Sequence, residues 1–299
     1  MTSVLPEIEA QLSERFGAPL GPPEPLGGGL TNHNFRFRFA GVDAVVRIAG
    51  DNTVMLGIDR SDEAEATRNA ASLGIGPALL AELPGREALV VGYVAATSLE
   101  AGALRSSRIP GVVAALRLLH GGPAIAARFD IWDVLVSYAR TAREAGVPEH
   151  EGEARAREVA AQARLVLTGP EHEPVSCHND LLAGNLLDDG DRLWIVDWEY
   201  AGRNDRYFDL ANLAVNNGFT EDDERALLRA YFGEDDERRL ARLQLMELVS
   251  DAREASWGLV QQGISSLDFD FAGYADEHFA RLTGRASAGR LEQLLTAAR

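Results

Sequence analysis

Between Val175 and Asn212 the chain reads VSCHNDLLAGNLLDDGDRLWIVDWEYAGRNDRYFDLAN. Asp180, then Asn185 five residues on, then Asp197 are the side chains whose types and spacing suit chemistry. Two apolar runs, Leu186-Leu187 and Leu193-Trp194-Ile195-Val196, flank a turn of Asp188, Asp189, Gly190 and Asp191, which predicts a β-hairpin. The hairpin puts Asp180 and Asn185 in the loop before its first strand and Asp197 just past its second. Three oxygen-bearing groups then meet at one mouth. Phosphoryl transfer wants such a set: magnesium ions held in place, a hydroxyl in line with a γ-phosphorus, and a carboxylate for the hydroxyl proton. Magnesium prefers hard oxygen ligands and keeps some waters, so one Asp and one Asn can supply the protein's share. Singly, each residue is more often a turn former or a cap. In this order, with a hairpin between the halves, the chemical reading prevails.

The same order resembles the catalytic loop of protein kinases, with His178-Asn179-Asp180 where those enzymes carry His-Arg-Asp and no Phe-Gly after Asp197. The longer pattern, extended by Ile195 to Gly202 and by Phe208-Asp209-Leu210-Ala211-Asn212, resembles the choline/ethanolamine kinase family, a branch of the aminoglycoside-phosphotransferase-like kinases. The resemblance implies that Asp180 is the catalytic base, that Asn185 and Asp197 hold Mg2+, and that Asp209 braces the loop. It further implies an α+β, bilobal protein-kinase-like fold, with a small antiparallel-sheet lobe over residues 1–92 and a larger, mainly helical lobe over 93–299.

Other elements must position these groups. Val4, Ile8, Leu12 and Phe16 predict a helix over 4–16 that ends at Gly17. After a Pro-rich connector comes Leu26-Gly27-Gly28-Gly29-Leu30-Thr31-Asn32, then the alternation Phe35-Arg36-Phe37-Arg38-Phe39 and the run Ala44 to Ile48. A glycine loop between strands lets backbone N–H groups close over phosphate oxygens. Gly28, Gly29, Leu30, Thr31 and Asn32 match the family's nucleotide loop. In the third-strand slot where kinases carry Lys stands Arg47, which forks onto phosphate oxygens and stays charged. A helix from Asp59 or Ser61 to Gly74 offers Glu63 and Glu65 as the acid for Arg47, and spacing compared with the family favours Glu63. Gly92, Tyr93 and Val94 leave the sheet as an interlobe hinge for an adenine. Helices are expected from Pro110 to His120, at about 129–145 and at about 152–168, with His120 packed or capping rather than catalytic.

Beyond the catalytic stretch, Thr220 with Asp223 reads as a capping box, and a long helix spans about Asp236 to Gly263. Trp257-Gly258-Leu259-Val260-Gln261-Gln262, Ile264-Ser265-Ser266 and Tyr274-Ala275 again resemble choline/ethanolamine kinases. Aromatic faces attract a desolvated cation, so the resemblance implies a substrate cage at Trp257 and Tyr274, with Glu199, Tyr200, Asp251 and Glu254 as acidic or aromatic company. Core aromatics at helical spacing are the rival reading. Family members often carry two tryptophans here and an acidic residue where Asn216-Asn217 stand; around this helix the chain has only Trp257. The thinner cage leaves room for ethanolamine or another amino alcohol beside choline. The function implied is a Mg2+-dependent kinase that moves the γ-phosphoryl of ATP to a small amino alcohol. The alternatives are a same-fold kinase for an aminoglycoside or thiamine, and a catalytically silent ligand-binding member.

The totals agree. The 299 residues, 46% hydrophobic and 25% charged, are globular in composition. A formal charge of −17 argues against binding nucleic acid or an anionic membrane, and suits a cationic substrate. One cysteine, Cys177, excludes an internal disulfide and fits a reducing cytoplasm. Residues 1–14 are acidic and lack the basic start and apolar core of a signal peptide, so none is expected, and no apolar run approaches about 20 residues. A cytoplasmic monomer or homodimer is expected.

Overall fold

The structure is a computed structural model that describes residues 4–27, 32–50, 52–169 and 172–299. Gly28, Gly29, Leu30 and Thr31, from the expected phosphate loop, lie outside the described residues.

The N-terminal part is an antiparallel sheet. Helix α1 (Leu5–Phe16) precedes strands β1 (Glu24–Leu26), β2 (Asn32–Phe39) and β3 (Val42–Ala49); helix α2 (Arg60–Ser72) follows, then β4 (Leu79–Leu83) and β5 (Ala88–Gly92), in the sheet order β1-β2-β3-β5-β4. A tight turn with Gly41 at φ 82° joins β2 to β3 and pairs Phe39 with Val42, the positive φ that glycine takes at no cost. Side chains alternate across a strand. Ala44 and Val46 therefore face one side and form a small core with Ile8, Leu12, Phe37, Phe39 and Val90. Val45 and Arg47 face the other side and line the interlobe cleft. The period-two pattern aims Arg47.

Helix α2 starts where Asp59 accepts from the amides of Ser61 and Asp62, satisfying donors that the first turn leaves orphaned. Its apolar face, with Ala66 and Ala70, joins the larger core rather than the small one. Contact with the catalytic hairpin is close: the Ile195 amide donates to Ile75 O at 2.6 Å. A Cβ on Gly76 would stand 2.7 Å from Ala70 Cβ and 3.2 Å from Trp198 Nε1. Only glycine lets the two parts approach this nearly.

The C-terminal part is helical. Strand β6 (Thr97–Ser98) and α3 (Ala101–Ala103) lead through a π-helical turn (Leu104–Arg108) into α4 (Ile109–His120), α5 (Ile131–Glu144) and α6 (Glu153–Leu167). Strand β7 (Val175–Cys177) enters the catalytic loop. The expected hairpin is β8 (Leu186–Asp188) and β9 (Leu193–Ile195), and β10 (Gly202–Asn204) pairs back onto β7. Then come α7 (Arg206–Asn216), α8 (Glu221–Phe232), α9 (Glu237–Ile264), α10 (Phe271–Arg285) and α11 (Ala288–Ala297). The Thr220–Asp223 capping box forms as read. The pairing of β10 with β7 and the last helix were not anticipated.

Helix α9 is the spine of this half. Nearly every residue from Leu240 to Gln261 is buried, so its polar side chains meet no water and require partners. Asp251 pairs with Arg281 at 2.5 Å and His278 at 3.1 Å, and Glu247 pairs with Arg285. Asp251 is thereby committed to α10. Among the described residues no helix is long and apolar enough to cross a membrane.

Gly76→Ala pushes α2 away from the hairpin. A loss of about 1–3 kcal/mol in unfolding free energy, typical of overpacking, is expected in a denaturant titration against the parent.

Candidate active site

The catalytic loop runs from β7 to β8 and hangs on α7. Asp209, fully buried in the first turn of that helix, accepts from the amides of His178 (2.9 Å) and Asn179 (2.7 Å), while His120 Nε2 donates to it at 3.0 Å. Burial opposes its charge, but the bond from His120 and the nearby His178 outweigh burial and hold its pKa below the usual carboxylate range. One turn on, Asn212 Oδ1 accepts from the Leu181 amide at 2.6 Å, and Asn217 Nδ2 donates to Leu181 O at 3.1 Å. His120 Nδ1 meets the Tyr231 hydroxyl at 2.6 Å, so its role is the packed one. His120, Cys177 and Asp209 offer ligand atoms within 4.8 Å of one another, yet both His120 nitrogens are bonded, and burial pushes the Cys177 thiol up.

Two residues of the loop and hairpin sit in left-handed backbone, Asn179 at φ 66° and Asp197 at φ 69°. Asn and Asp are the non-glycine residues that tolerate this region best. Asn179 is fixed further: its Nδ2 donates to Tyr200 O at 2.9 Å and its Oδ1 accepts from Asn204 at 2.9 Å. His178 donates from Nε2 to Val196 O at 3.0 Å and accepts at Nδ1 from the Asp180 amide at 3.3 Å. Burial lowers its pKa, and that bond pattern is the neutral imidazole. His178 ties loop to hairpin.

Asp180 and Asn185 then face each other. Asn185 Nδ2 donates to Asp180 O at 2.9 Å and to Asp180 Oδ2 at 3.2 Å. Because the amide nitrogen is committed inward, Asn185 Oδ1 is left for the cleft, which Asn185 and Asp197 both line. A neutral oxygen and a carboxylate oxygen at one wall are the hard donors that Mg2+ accepts, so the residues fit that ion. Burial pushes the Asp180 carboxyl up to about 7; Arg253 works against this, while Glu254 and Asp197 add to it.

The cleft measures about 470 Å³ and runs from Arg47 and Asp197 to the hinge at Gly92, Tyr93, Val94 and Ala96. Arg47 Nε donates to Glu63 at 3.1 Å, and Arg47 also pairs with Asp197. Burial works against the charge on Arg47, but Asp197, Glu63 and Glu199 outweigh it and raise its pKa. The partner is Glu63, as the spacing favoured; Glu65 instead accepts from the Ala126 amide at 3.2 Å. At the hinge, the Gly92 and Tyr93 amides already donate to Ala78 O and Asp43 O, and Arg36 stacks on the Tyr93 ring at 3.7 Å. Asn32, the described end of the glycine loop, donates to Glu199 at 2.7 Å and accepts from Arg60 at 2.9 Å. Glu199 lies 3.7 Å from Arg60, so it joins the two lobes across the cleft.

The expected cage residues cluster on α9 and α10. Trp257 and Tyr274 meet edge to face at 5.5 Å, and Phe271 adds a third ring 5.7 Å from Trp257. Trp257 donates to the Tyr200 hydroxyl at 3.0 Å, and the Tyr274 hydroxyl donates to Glu254 at 2.9 Å. The rings touch one another. Glu254 is buried and also accepts from Asn212 (3.1 Å) and Arg253 (2.8 Å); burial opposes its charge, but Arg253, His278 and Tyr274 hold its pKa below the ordinary value. Tyr138 donates to Leu56 O at 3.2 Å, and Asn52 to Ile264 O at 3.0 Å, tying the segment between β3 and α2 onto the helical part.

Sequence reasoning missed Arg60, Tyr138, Phe271 and, above all, Arg253, whose Nη1 is 3.6 Å from Asp180 Oδ1. The available signal was the apolar content on every side of α9. A helix so enclosed forces its charges into pairs.

A profile of the phosphotransferase enzyme family matches residues 23–245. Probable choline kinase 1 of Arabidopsis thaliana is 25% identical over 297 residues, covering 85% of this chain and 84% of its own length. The crystal structure of a choline/ethanolamine kinase family protein from Mesorhizobium loti is 32% identical, covers 100% of this chain and 99% of its own, and superposes with a TM-score of 0.84. Choline kinase LicA from Streptococcus pneumoniae, 20% identical with a TM-score of 0.77 over 96% of this chain and 98% of its own, shares the kinase-like fold.

Two outcomes follow from the electrostatics. Activity that depends on ionised Asp180 rises with pH and levels off above about 7; a pH profile of kcat/KM for the acceptor reads the acid limb, which falls tenfold per unit. Glu63→Gln frees Arg47 to swing, and nucleotide affinity falls about tenfold, the equivalent of about 1.4 kcal/mol, in a calorimetric titration.

Proposed function

We propose that this chain, which belongs to the phosphotransferase enzyme family, moves the γ-phosphoryl group of ATP to the hydroxyl of a small amino alcohol, with choline and ethanolamine as the acceptors to try first. One observation carries the reading: Asn185 and Asp197 line a cleft that also presents Arg47, and Asn185 bonds directly to Asp180 behind them. The relatives named choline kinase and choline/ethanolamine kinase support the acceptor class.

Asn185 Oδ1 and Asp197 would hold magnesium, which when bound neutralises charge on the phosphates. The remaining work falls to the chain itself. Arg47, steadied by Glu63, releases Asp197 and forks onto phosphate oxygens. The hinge at Gly92, Tyr93 and Val94 meets the adenine edge, and Gly28, Gly29, Leu30, Thr31 and Asn32 close over the phosphates. Asp180 orients the acceptor hydroxyl and takes its proton as the oxygen–phosphorus bond forms; the bond from the γ-phosphorus to its bridging oxygen breaks, and ADP leaves. Glu199, Tyr200, Glu254, Trp257 and Tyr274 surround the acceptor side, where acidic oxygens suit a primary ammonium and ring faces suit a quaternary one.

The test is ATP- and Mg2+-dependent phosphorylation across choline, ethanolamine, thiamine and an aminoglycoside, with Asp180→Asn in parallel. Turnover of choline or ethanolamine that drops about 10²- to 10⁴-fold in the variant is expected. Turnover confined to thiamine or the aminoglycoside would move the acceptor class. Nucleotide binding with no turnover on any of the four would leave a silent member.

A further inference from the structure

Arg253 is among the largest fully buried side chains of the described residues, 1% exposed. Among the described residues, the polar contacts of its guanidinium fall on Nη1, 2.8 Å from Glu254 Oε1 and 3.6 Å from Asp180 Oδ1. Nε and Nη2 have no hydrogen-bond partner among the described residues. In a planar guanidinium those two nitrogens form one edge, with parallel N–H bonds spaced to meet both oxygens of a carboxylate. A buried charged donor edge left unmade is costly and rare, and calls for an explanation.

The surroundings narrow the explanation. The guanidinium carbon lies 4.5 Å from the centre of the Tyr200 ring and 5.9 Å from that of Phe129. Those faces, which could receive a quaternary ammonium, already face a cation, and a second one beside it is repelled in this dry site. Nη1 faces Asp180, where the transferred phosphoryl group has to arrive. The rigid trigonal geometry turns the Nε–Nη2 edge away from Asp180.

We propose that the acceptor carries a carboxylate as well as its hydroxyl, and that the Nε–Nη2 edge of Arg253 binds that carboxylate bidentately. The inference rests on the amino-alcohol reading above and narrows it to small hydroxylated amino acids, in which the same molecule also brings an ammonium toward Glu254. Arg253 is then the residue that selects the substrate, through a contact absent from the catalytic loop.

Matched pairs test this, because L-serine differs from ethanolamine, and L-homoserine from 3-amino-1-propanol, only by the carboxylate. The wild-type protein is to be compared on all four compounds by kcat/KM with ATP and by calorimetric binding in the presence of ADP. The carboxylate-bearing member of at least one pair is expected to win tenfold or more in both readouts. Arg253→Met should erase that ratio, and Arg253→Lys should restore part of it, with circular dichroism confirming that both variants fold. The wild-type ratio needs no variant. A wild-type preference for the member without the carboxylate, or binding of none of the four, would overturn the proposal. So would an equal loss on both members of a pair in Arg253→Met, which would assign the edge to the phosphoryl group or to structure. Preferential binding of the carboxylate-bearing members without any turnover would sink the kinase reading while leaving the Arg253 contact standing.

Discussion

The cleft depends on a carboxylate placed where no substrate can reach it. Asp209 gathers the amides of His178 and Asn179 and the imidazole of His120, and in doing so fixes where Asp180 points. A buried charge is tolerable only when donors surround it, and here the donors are the backbone of the catalytic loop itself. Folding the helix that carries Asp209 and shaping the loop are thus one event. Loss of the carboxylate would strand buried N–H groups and unhinge the loop together.

From that anchor, charge alternates outward across the interlobe gap. Asp197 faces Arg47, Arg47 faces Glu63, Glu63 and Glu199 both approach Arg60, and Asn32 ties Glu199 to the start of β2. Each group is paired without nucleotide. On the proposed reading, a phosphate chain arriving in the cleft would exchange one partner of Arg47 for another, so that binding would rearrange ion pairs already present and leave no buried charge bare. Such pairs cost little net stability to swap, since desolvation has already occurred.

Much of this was legible in order along the chain. The hairpin announced itself by its Asp-Gly turn, Arg47 by its place on the third strand, and Glu63 by its spacing from the end of its helix compared with the family. The Thr220 capping box needed only local chemistry. What could not be read depended on contacts between distant segments. Glu199 follows Trp198 into the hairpin's exit and looks like substrate company, yet it reaches Asn32, 167 residues away. Asp251 and Arg253 are two residues apart on one helix, but opposite sides of α9 send one to α10 and the other to Asp180. Sequence spacing carried the face; it did not carry what packs against that face. The aromatic trio of Trp257, Phe271 and Tyr274 shows the same limit: two of its members were read, while the third came only with the fold.

The central claim is that this cleft moves a phosphoryl group from ATP onto an acceptor hydroxyl. Phosphorus NMR of the reaction mixture, with ADP counted alongside, addresses it directly. The account predicts one phosphomonoester on the acceptor for each ADP formed, and no ADP without acceptor. ADP formed together with inorganic phosphate at the same rate, whether or not an acceptor is present, would contradict it: the cleft would then pass the phosphoryl group to water, and Asp180 would not be serving a bound hydroxyl.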